Sequence, residues 1–249
     1  MNITEDILQA VCVGLVVATF LLNTGRSLKA IEVCNECLSF LNNRAVKMER
    51  NIFNSFYTGI YHTIFRAYYF SHDHTQALIY GRKLLDIYYQ CGNKKEEGFL
   101  TIILAHIYRQ QNKYLEAIGL YEKAINITKE MGDKENQVYL TIILADIYRQ
   151  HNKYLEAMGL YEKAINITEE TGDRKNQAFA NEKAGIISYH LGDYNKAKRY
   201  LEKALVIKIQ TGDREREASL YANLGTVFEC LGQYDKAKEF LEKAIPITK

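Results

Sequence analysis

The sequence has no tryptophan, a single proline (Pro246) and a modest 15 glycines among 249 residues. This composition argues against disordered proline-rich linkers and against a protein built of strands and turns. Neither sign of charge dominates, with 32 basic and 30 acidic residues. The balance argues against a polyanion-binding protein and against an acidic tail.

The five cysteines are odd in number and scattered, which does not fit a disulfide framework. Cys34 and Cys37 form one CxxC, but a second pair at zinc-ligand spacing is missing and no strand pattern precedes them. We predict two buried thiols one helical turn apart. A reducing, cytoplasmic location follows from this cysteine usage.

Motifs that carry catalysis are also missing from the sequence: it has no P-loop, GxGxxG, GxSxG or HExxH. His72 and His74, in "SHDH", are the one metal-like pair, and they fall in a predicted turn. Basic residues alternate with acids, as in "QYDKAKEFLEK", which predicts a solvated face and not a nucleic-acid surface. We predict no enzymatic activity, no cofactor, no metal and no nucleic-acid partner.

What the sequence does contain is a repeat. Residues 101–128 and 141–168 differ at only three positions, His106/Asp146, Gln111/His151 and Ile118/Met158. Small residues recur after a first gap of 47 and then every 40 residues, at Ala30, Ala77, Ala117, Ala157, Ala197 and Ala237. Apolar residues between them recur at three and four positions, which indicates two helices in each unit.

Turn residues separate these helices at regular places. The inner turn of a unit offers a residue suited to left-handed backbone, at Asn112, Asn152, Gly192 and Gly232. The outer turn carries Gly92, Gly132, Gly172 and Gly212, each followed by a helix-capping residue, at Asn93, Asp133, Asp173 and Asp213. These signals predict one array over 1–249, with approximate repeats 8–49, 50–93, 94–133, 134–173, 174–213 and 214–249.

The unit "YANLGTVFECLGQYDKAKEFLEKAI" resembles a tetratricopeptide repeat. That family's pattern of large, small and aromatic residues is met here by Tyr221, Leu224, Gly225, Phe228, Ala237 and Ala244. The near-identical units place Ala105 and Ala145 where the family has glycine. The resemblance covers nearly the whole chain, most specifically the last four units and least the first.

The resemblance implies an all-α fold, a right-handed α-solenoid of about six antiparallel helix pairs (a TPR superhelix). The family period is about 34 residues, and the period here is 40. We therefore expect the long-repeat branch, which includes G-protein-signalling modulators, kinesin light chains and large arrays in signalling proteins. The extra residues are expected to lengthen the helices and the outer turn.

The resemblance also implies that ligands bind the concave wall, which the first helix of each unit lines. Its candidate residues are Arg66, Tyr69, Phe99, His106, Arg109, Tyr139, Asp146, Arg149, Phe179, Glu182 and Tyr189. Beside them lie His62, Ile102, Gln110, Ile142, Gln150, Ile186, His190, Ser219, Ala222, Thr226, Glu229 and Cys230. Such a wall suits an extended or helical peptide with apolar and acidic side chains.

Alternatives to this wall stay open. Arg109 and Arg149 could pair with acids on neighbouring helices, such as Asp146, while Phe99 and Tyr139 could serve packing. A protonated His106 near Asp146 would make binding pH-sensitive. The family's clamp for a C-terminal carboxylate is incomplete, because Lys183 and Asn223 fit its slots but Ile103 and Ile143 stand in the near-identical units.

The two ends of the sequence raise further alternatives. The apolar run 7–22 has 16 residues, short of the roughly 20 that span a bilayer, so we predict a buried first helix. At the other end, Phe240, Leu241, Ile245 and Ile247 are expected to be partly exposed, and Pro246 to shorten or bend the last helix. Continuation into a longer array, self-association and cover by a partner all fit this end.

These observations favour a non-catalytic adaptor that binds a peptide of another protein. A regulatory or oligomerisation segment of a larger signalling protein is the first alternative. A membrane-tethered adaptor, anchored by residues 7–22, is the second.

Overall fold

A computed structural model describes residues 3–42 and 49–245. Within these ranges the chain forms twelve α-helices: α1 (Ile3–Asn23), α2 (Ser27–Leu41), α3 (Arg50–Phe70), α4 (His74–Gln90), α5 (Lys94–Gln110), α6 (Tyr114–Glu130), α7 (Lys134–Gln150), α8 (Tyr154–Thr171), α9 (Arg174–His190), α10 (Tyr194–Thr211), α11 (Arg214–Cys230) and α12 (Tyr234–Ala244). The predictions for Pro246 and Ile247 fall outside the described residues.

The 40-residue period consists almost entirely of helix. Helices α5 and α6 have 17 residues each, and three-residue turns follow both of them. The expected lengthening of the helices is therefore present. The expected lengthening of the outer turn was wrong, since that turn is as short as the inner one.

The predicted turn chemistry is confirmed. Asn112 and Asn152 have φ of 58°. His72, which was not predicted for this role, has the same value in the second repeat. The outer-turn glycines also have positive φ. The next residue caps the following helix, as where the Asn136 amide donates to Asp133 Oδ1 at 3.1 Å. Asn93, Asp173 and Asp213 accept equivalent bonds.

The chain divides into two compact units, Met1–Leu120 and Tyr121–Lys249. In the first, α1, α2 and α3 enclose one apolar core, which includes Val11, Ala18, Ala30, Cys34, Cys37, Tyr57, Ile60 and Ile64. Cys34 and Cys37 are both buried, as predicted, and all five cysteines are free. Burial raises the pKa of Cys34 to about 12, so this thiol is unreactive at neutral pH.

The second unit holds two clusters of the same design. One joins α7, α8 and α9 around Tyr161 and Ala184. The other joins α10, α11 and α12 around Leu201 and Leu224. Glycine permits the closest helix approach, because a Cβ placed on Gly185 would lie 2.7 Å from Leu201 Cγ. Small residues on the first helix of a pair therefore set the distance to the second.

Helix α1 is buried on one face only. Val11 and Ala18 lie in the core, whereas Val13, Val16, Val17 and Phe20 are exposed. The prediction of a buried first helix is thus correct for one face and wrong for the other. The helix also runs to 21 residues, and by length and composition alone Glu5–Asn23 would suffice to cross a membrane.

Candidate functional site

In the first unit, the first helices α3 and α5 border an apolar recess of about 410 Å³. We call it the α3–α5 recess. It is lined by His62, Phe65, Arg66, Tyr69, Phe70, Leu84, Tyr88, Glu96, Phe99, Leu100 and Ile103. Arg66, Tyr69 and Phe99 are candidates predicted from the sequence, and His62 lay beside them. Phe65, Phe70, Glu96 and Ile103 were missed, although each lies three or four residues from a candidate, which is a detectable signal. Leu84, Tyr88 and Leu100 were missed as well.

The floor and the rim of this recess differ in chemistry. Leu84 and Leu100 are buried at its floor, while Phe70 and Phe99 are exposed by 58% and 61% at its rim. The Arg66 guanidinium lies 5.6 Å from the Phe70 ring centroid, within cation–π range. The recess can therefore take an apolar side chain and offers a positively charged donor at its edge.

His62 is neutral at pH 7 in this setting. Burial lowers its pKa from the ordinary 6.5, and the Arg66 charge lowers it further, partly offset by Glu96. A neutral imidazole can both donate and accept a hydrogen bond. Arg66 and Glu96 then carry the charges of the recess, one of each sign.

His106, another candidate, also has a lowered pKa, because of burial first and the Arg109 charge second. The imidazole is therefore neutral near pH 7. This argues against the hypothesis that a protonated His106 controls binding at that pH.

The lowered pKa of His106 predicts a dependence of stability on pH. The unfolded chain takes up the proton at its ordinary pKa of 6.5 and the folded chain only below that value, so acidification favours unfolding. We expect the His106→Gln variant to lose less stability than the unmodified chain between about pH 7 and pH 5. Urea unfolding at each pH measures this. Parallel curves for the two proteins would contradict it.

In the second unit, the candidates Asp146 and Arg149 are bound to each other. Arg149 Nε and Nη2 both lie 3.1 Å from Asp146 Oδ1. The hydroxyl of the fully buried Tyr161 donates to the same oxygen at 2.6 Å. Arg149 thus pairs with an acid, as the alternative held, but that acid lies on the same helix, α7, and not on a neighbouring one. Asp146 also holds the buried tyrosine of the neighbouring helix.

A second, smaller recess of about 210 Å³ lies in this unit between α9 and α11. It is lined by Ile186, Tyr189, His190, Leu201, Asn223, Thr226 and Val227. Tyr189 is a candidate predicted from the sequence, and Ile186, His190 and Thr226 were predicted beside the candidates. The His190 ring also stacks on Tyr154, with 5.6 Å between the ring centroids.

The sequence profile of the tetratricopeptide repeat matches residues 99–170 and 176–249, more than half of the chain. The chain belongs to the tetratricopeptide repeat family. Its described residues form an all-α repeat solenoid, as the sequence predicted. None of the curated protein sequences matches the chain significantly.

Solved structures show the same tetratricopeptide fold at low identity. RapI superposes with a TM-score of 0.68 at 14% identity, over 95% of this chain and 76% of its own. BtubC from P. vanneervenii superposes with a TM-score of 0.62 at 20% identity, over 90% of this chain and 89% of its own. The third structure is a signal-transduction ATPase with a tetratricopeptide repeat sensor, from Pyrococcus horikoshii. It superposes with a TM-score of 0.66 at 19% identity, over 94% of this chain and 35% of its own. These likenesses concern the fold alone.

One candidate needs correction within this tetratricopeptide framework. Glu182 is only 3% exposed, and its carboxylate lies 3.4 Å from Lys183 Nζ and 3.6 Å from Arg216 Nη1. A carboxylate enclosed by two cations of its own chain does not face a ligand. Ile142, which lay beside the candidates, is buried as well.

The other candidates differ in exposure. Tyr139 is exposed on α7, and Arg109 is exposed on α5. Phe179 is half-buried on α9 with the Lys183 ammonium 5.0 Å from its ring centroid. A role for these residues as ligand contacts stays a prediction. In the part of the chain that the structure describes, no three His, Cys, Asp or Glu side chains are grouped as a metal site.

Proposed function

We propose that the chain is a non-catalytic adaptor that binds a peptide segment of another protein along the first helices of its repeats. Tetratricopeptide repeats are protein-interaction modules, which gives the class of partner. The observation that supports a peptide is the α3–α5 recess, which brings together His62, Arg66, Tyr69 and Phe99. The free cysteines support a reducing, cytoplasmic location.

The chemistry of the recess indicates what the peptide should carry. The floor of aliphatic and aromatic carbon suits one large apolar side chain. Burying that side chain contributes about 3 kcal/mol to binding. Arg66 at the rim suits a carboxylate beside that side chain, because a guanidinium can hold two carboxylate oxygens at once. We therefore propose a short segment with an apolar anchor next to Asp or Glu.

A random peptide library displayed against the purified chain tests this function. Selected peptides are expected to share the apolar–acidic pair and to bind Phe99→Ser and Arg66→Gln variants at least tenfold more weakly, a loss of about 1.4 kcal/mol. Leu115→Ser is the matched control, since Leu115 is exposed on α6 and is not part of the recess. Peptides whose affinity is equal for all four proteins would refute the recess as the binding site.

The exposed apolar end of α12 supports a second role. Leu241 and Ile245 are both exposed, as the sequence predicted for this end. We propose that copies of the chain associate with each other through this end, in addition to binding a peptide.

A further inference from the structure

The second unit contains two contacts between successive tetratricopeptide pairs, α8 against α9 and α10 against α11, and the second of them serves as the reference. Leu201 and Leu205 of α10 share a buried cluster with side chains of the next first helix, Leu220, Leu224 and Val227 of α11. Leu201 is only 1% exposed in this contact. This arrangement defines what the second helix of one pair offers to the first helix of the next.

Helix α12 presents the first half of the same contact. Leu241 lies 40 residues after Leu201 and is placed in the same way, because a Cβ on Gly225 would lie 2.7 Å from Leu241 Cγ, as one on Gly185 would from Leu201 Cγ. Despite this equal placement, Leu241 is 41% exposed. The difference is the cover that α11 gives to Leu201.

Helix α1 presents the other half. Gly25 and Ala30 stand in the first pair where Gly232 and Ala237 stand in the last, so the two pairs share one register. In that register Val13, Val17 and Phe20 correspond to Leu220, Leu224 and Val227. The three side chains of α11 are buried, but those of α1 are exposed, Phe20 by 62%.

The same register positions are buried in the other first helices. They are Ile60, Ile64 and Ala67 in α3, Leu100, Leu104 and Ile107 in α5, Leu140, Leu144 and Ile147 in α7, and Ala180, Ala184 and Ile187 in α9. The apolar face of α1 is therefore the face by which a first helix receives a preceding pair. It differs from a membrane-spanning helix because its opposite face, with Val11 and Ala18, is enclosed by α2 and α3.

We propose that the chain associates head to tail, so that the exposed face of α12 in one copy covers the exposed face of α1 in another. The contact reproduces the one between α10 and α11, with Leu241 and Ile245 against Val13, Val17 and Phe20. It rests on the proposed self-association and adds the identity of the two faces. Such a contact is heterologous, because two different patches meet.

Two kinds of variant test the two faces one at a time. The head variant, Val17→Glu with Phe20→Glu, places charges on two exposed α1 side chains of the proposed contact, and the tail variant, Leu241→Glu, does so on α12. Ile245→Glu is a second tail variant for use if Leu241→Glu does not fold by circular dichroism. Leu155→Glu is the matched control, since Leu155 is 74% exposed on α8, away from both faces.

Sedimentation velocity over a hundredfold range of concentration gives the readout. The unmodified chain and the control are expected to form oligomers that grow with concentration, and each single-face variant is expected to be monomeric. An equimolar mixture of head and tail variants is expected to form a one-to-one dimer, because one intact face remains on each.

Other outcomes overturn the proposal in distinguishable ways. A monomeric unmodified chain at every concentration refutes self-association itself. A tail variant that still dimerises, beside a monomeric head variant, leaves self-association standing and refutes the head-to-tail arrangement in favour of α1 pairing with α1. A mixture that stays monomeric also refutes it. Binding of a monomeric unmodified chain to phosphatidylcholine vesicles, lost in the head variant, would assign the face to lipid.

Discussion

The Gly185→Val variant is expected to lose about 3 kcal/mol of unfolding free energy, near the upper end for an overpacked core. A Cβ at this position would already lie 2.7 Å from Leu201 Cγ and 3.3 Å from the Ala197 carbonyl oxygen. Valine adds two more carbons in the same place. Because the Ala197 oxygen belongs to the backbone, α9 and α10 have to move apart, and their shared cores lose packing.

The Gly159→Val variant provides the matched control for this substitution. Gly159 is also helical, but apart from its chain neighbours and the backbone of its own helix no atom lies within 4 Å of a Cβ placed there. Its stability is expected to change by less than about 0.5 kcal/mol, since an exposed helix accepts valine about as well as glycine. Urea unfolding followed by circular dichroism compares the two. Equal losses in both variants would show that steric overlap at Gly185 is not the cause.

The Asp146→Ala variant is expected to lose about 2–3 kcal/mol of stability. Its main cause is the Tyr161 hydroxyl, which is buried and would lose its acceptor at 2.6 Å. The released Arg149 adds only a small cost, because it is one-third exposed and solvent screens its charge. Thermal and urea unfolding measure the loss.

A double-mutant cycle isolates that cause. The Tyr161→Phe variant removes the hydroxyl and its need for an acceptor, so Asp146→Ala is expected to cost clearly less in that background. Equal costs in both backgrounds would show that the hydrogen bond to Tyr161 does not carry the effect. The same geometry makes Arg149→Glu a poor probe of ligand binding, since it would bring two carboxylates together and weaken the fold.

Most of the fold could be predicted from local signals in the sequence. The period of 40, the apolar spacing of three and four, and the turn residues fix each helix within a few positions, because capping and left-handed turns depend on neighbours in the chain. The roles of Asn112 and Asp133 were readable for that reason. The length of the outer turn could not be predicted, since the extra residues of a longer period can extend either a helix or a loop.

The candidate site was only partly readable, because exposure depends on helices distant in the sequence. The register placed Arg66, Tyr69 and Phe99 around one recess, yet it did not show that Arg216 of the next pair lies beside Glu182. Nor did it show that Tyr161 engages Asp146, a residue with a position on the first helix like that of His106. Hydropathy alone likewise does not distinguish the enclosed face of α1 from its exposed face.

The equal turns have a consequence for how such a gene changes length. Because two 17-residue helices and two three-residue turns fill the period, the near-identical stretches 101–128 and 141–168 begin and end at the same points of the helical pattern. A crossover between misaligned copies of the two stretches removes or inserts 40 residues, in frame and with both helices of a pair whole. Recombination can therefore lengthen or shorten this array without creating a new junction sequence.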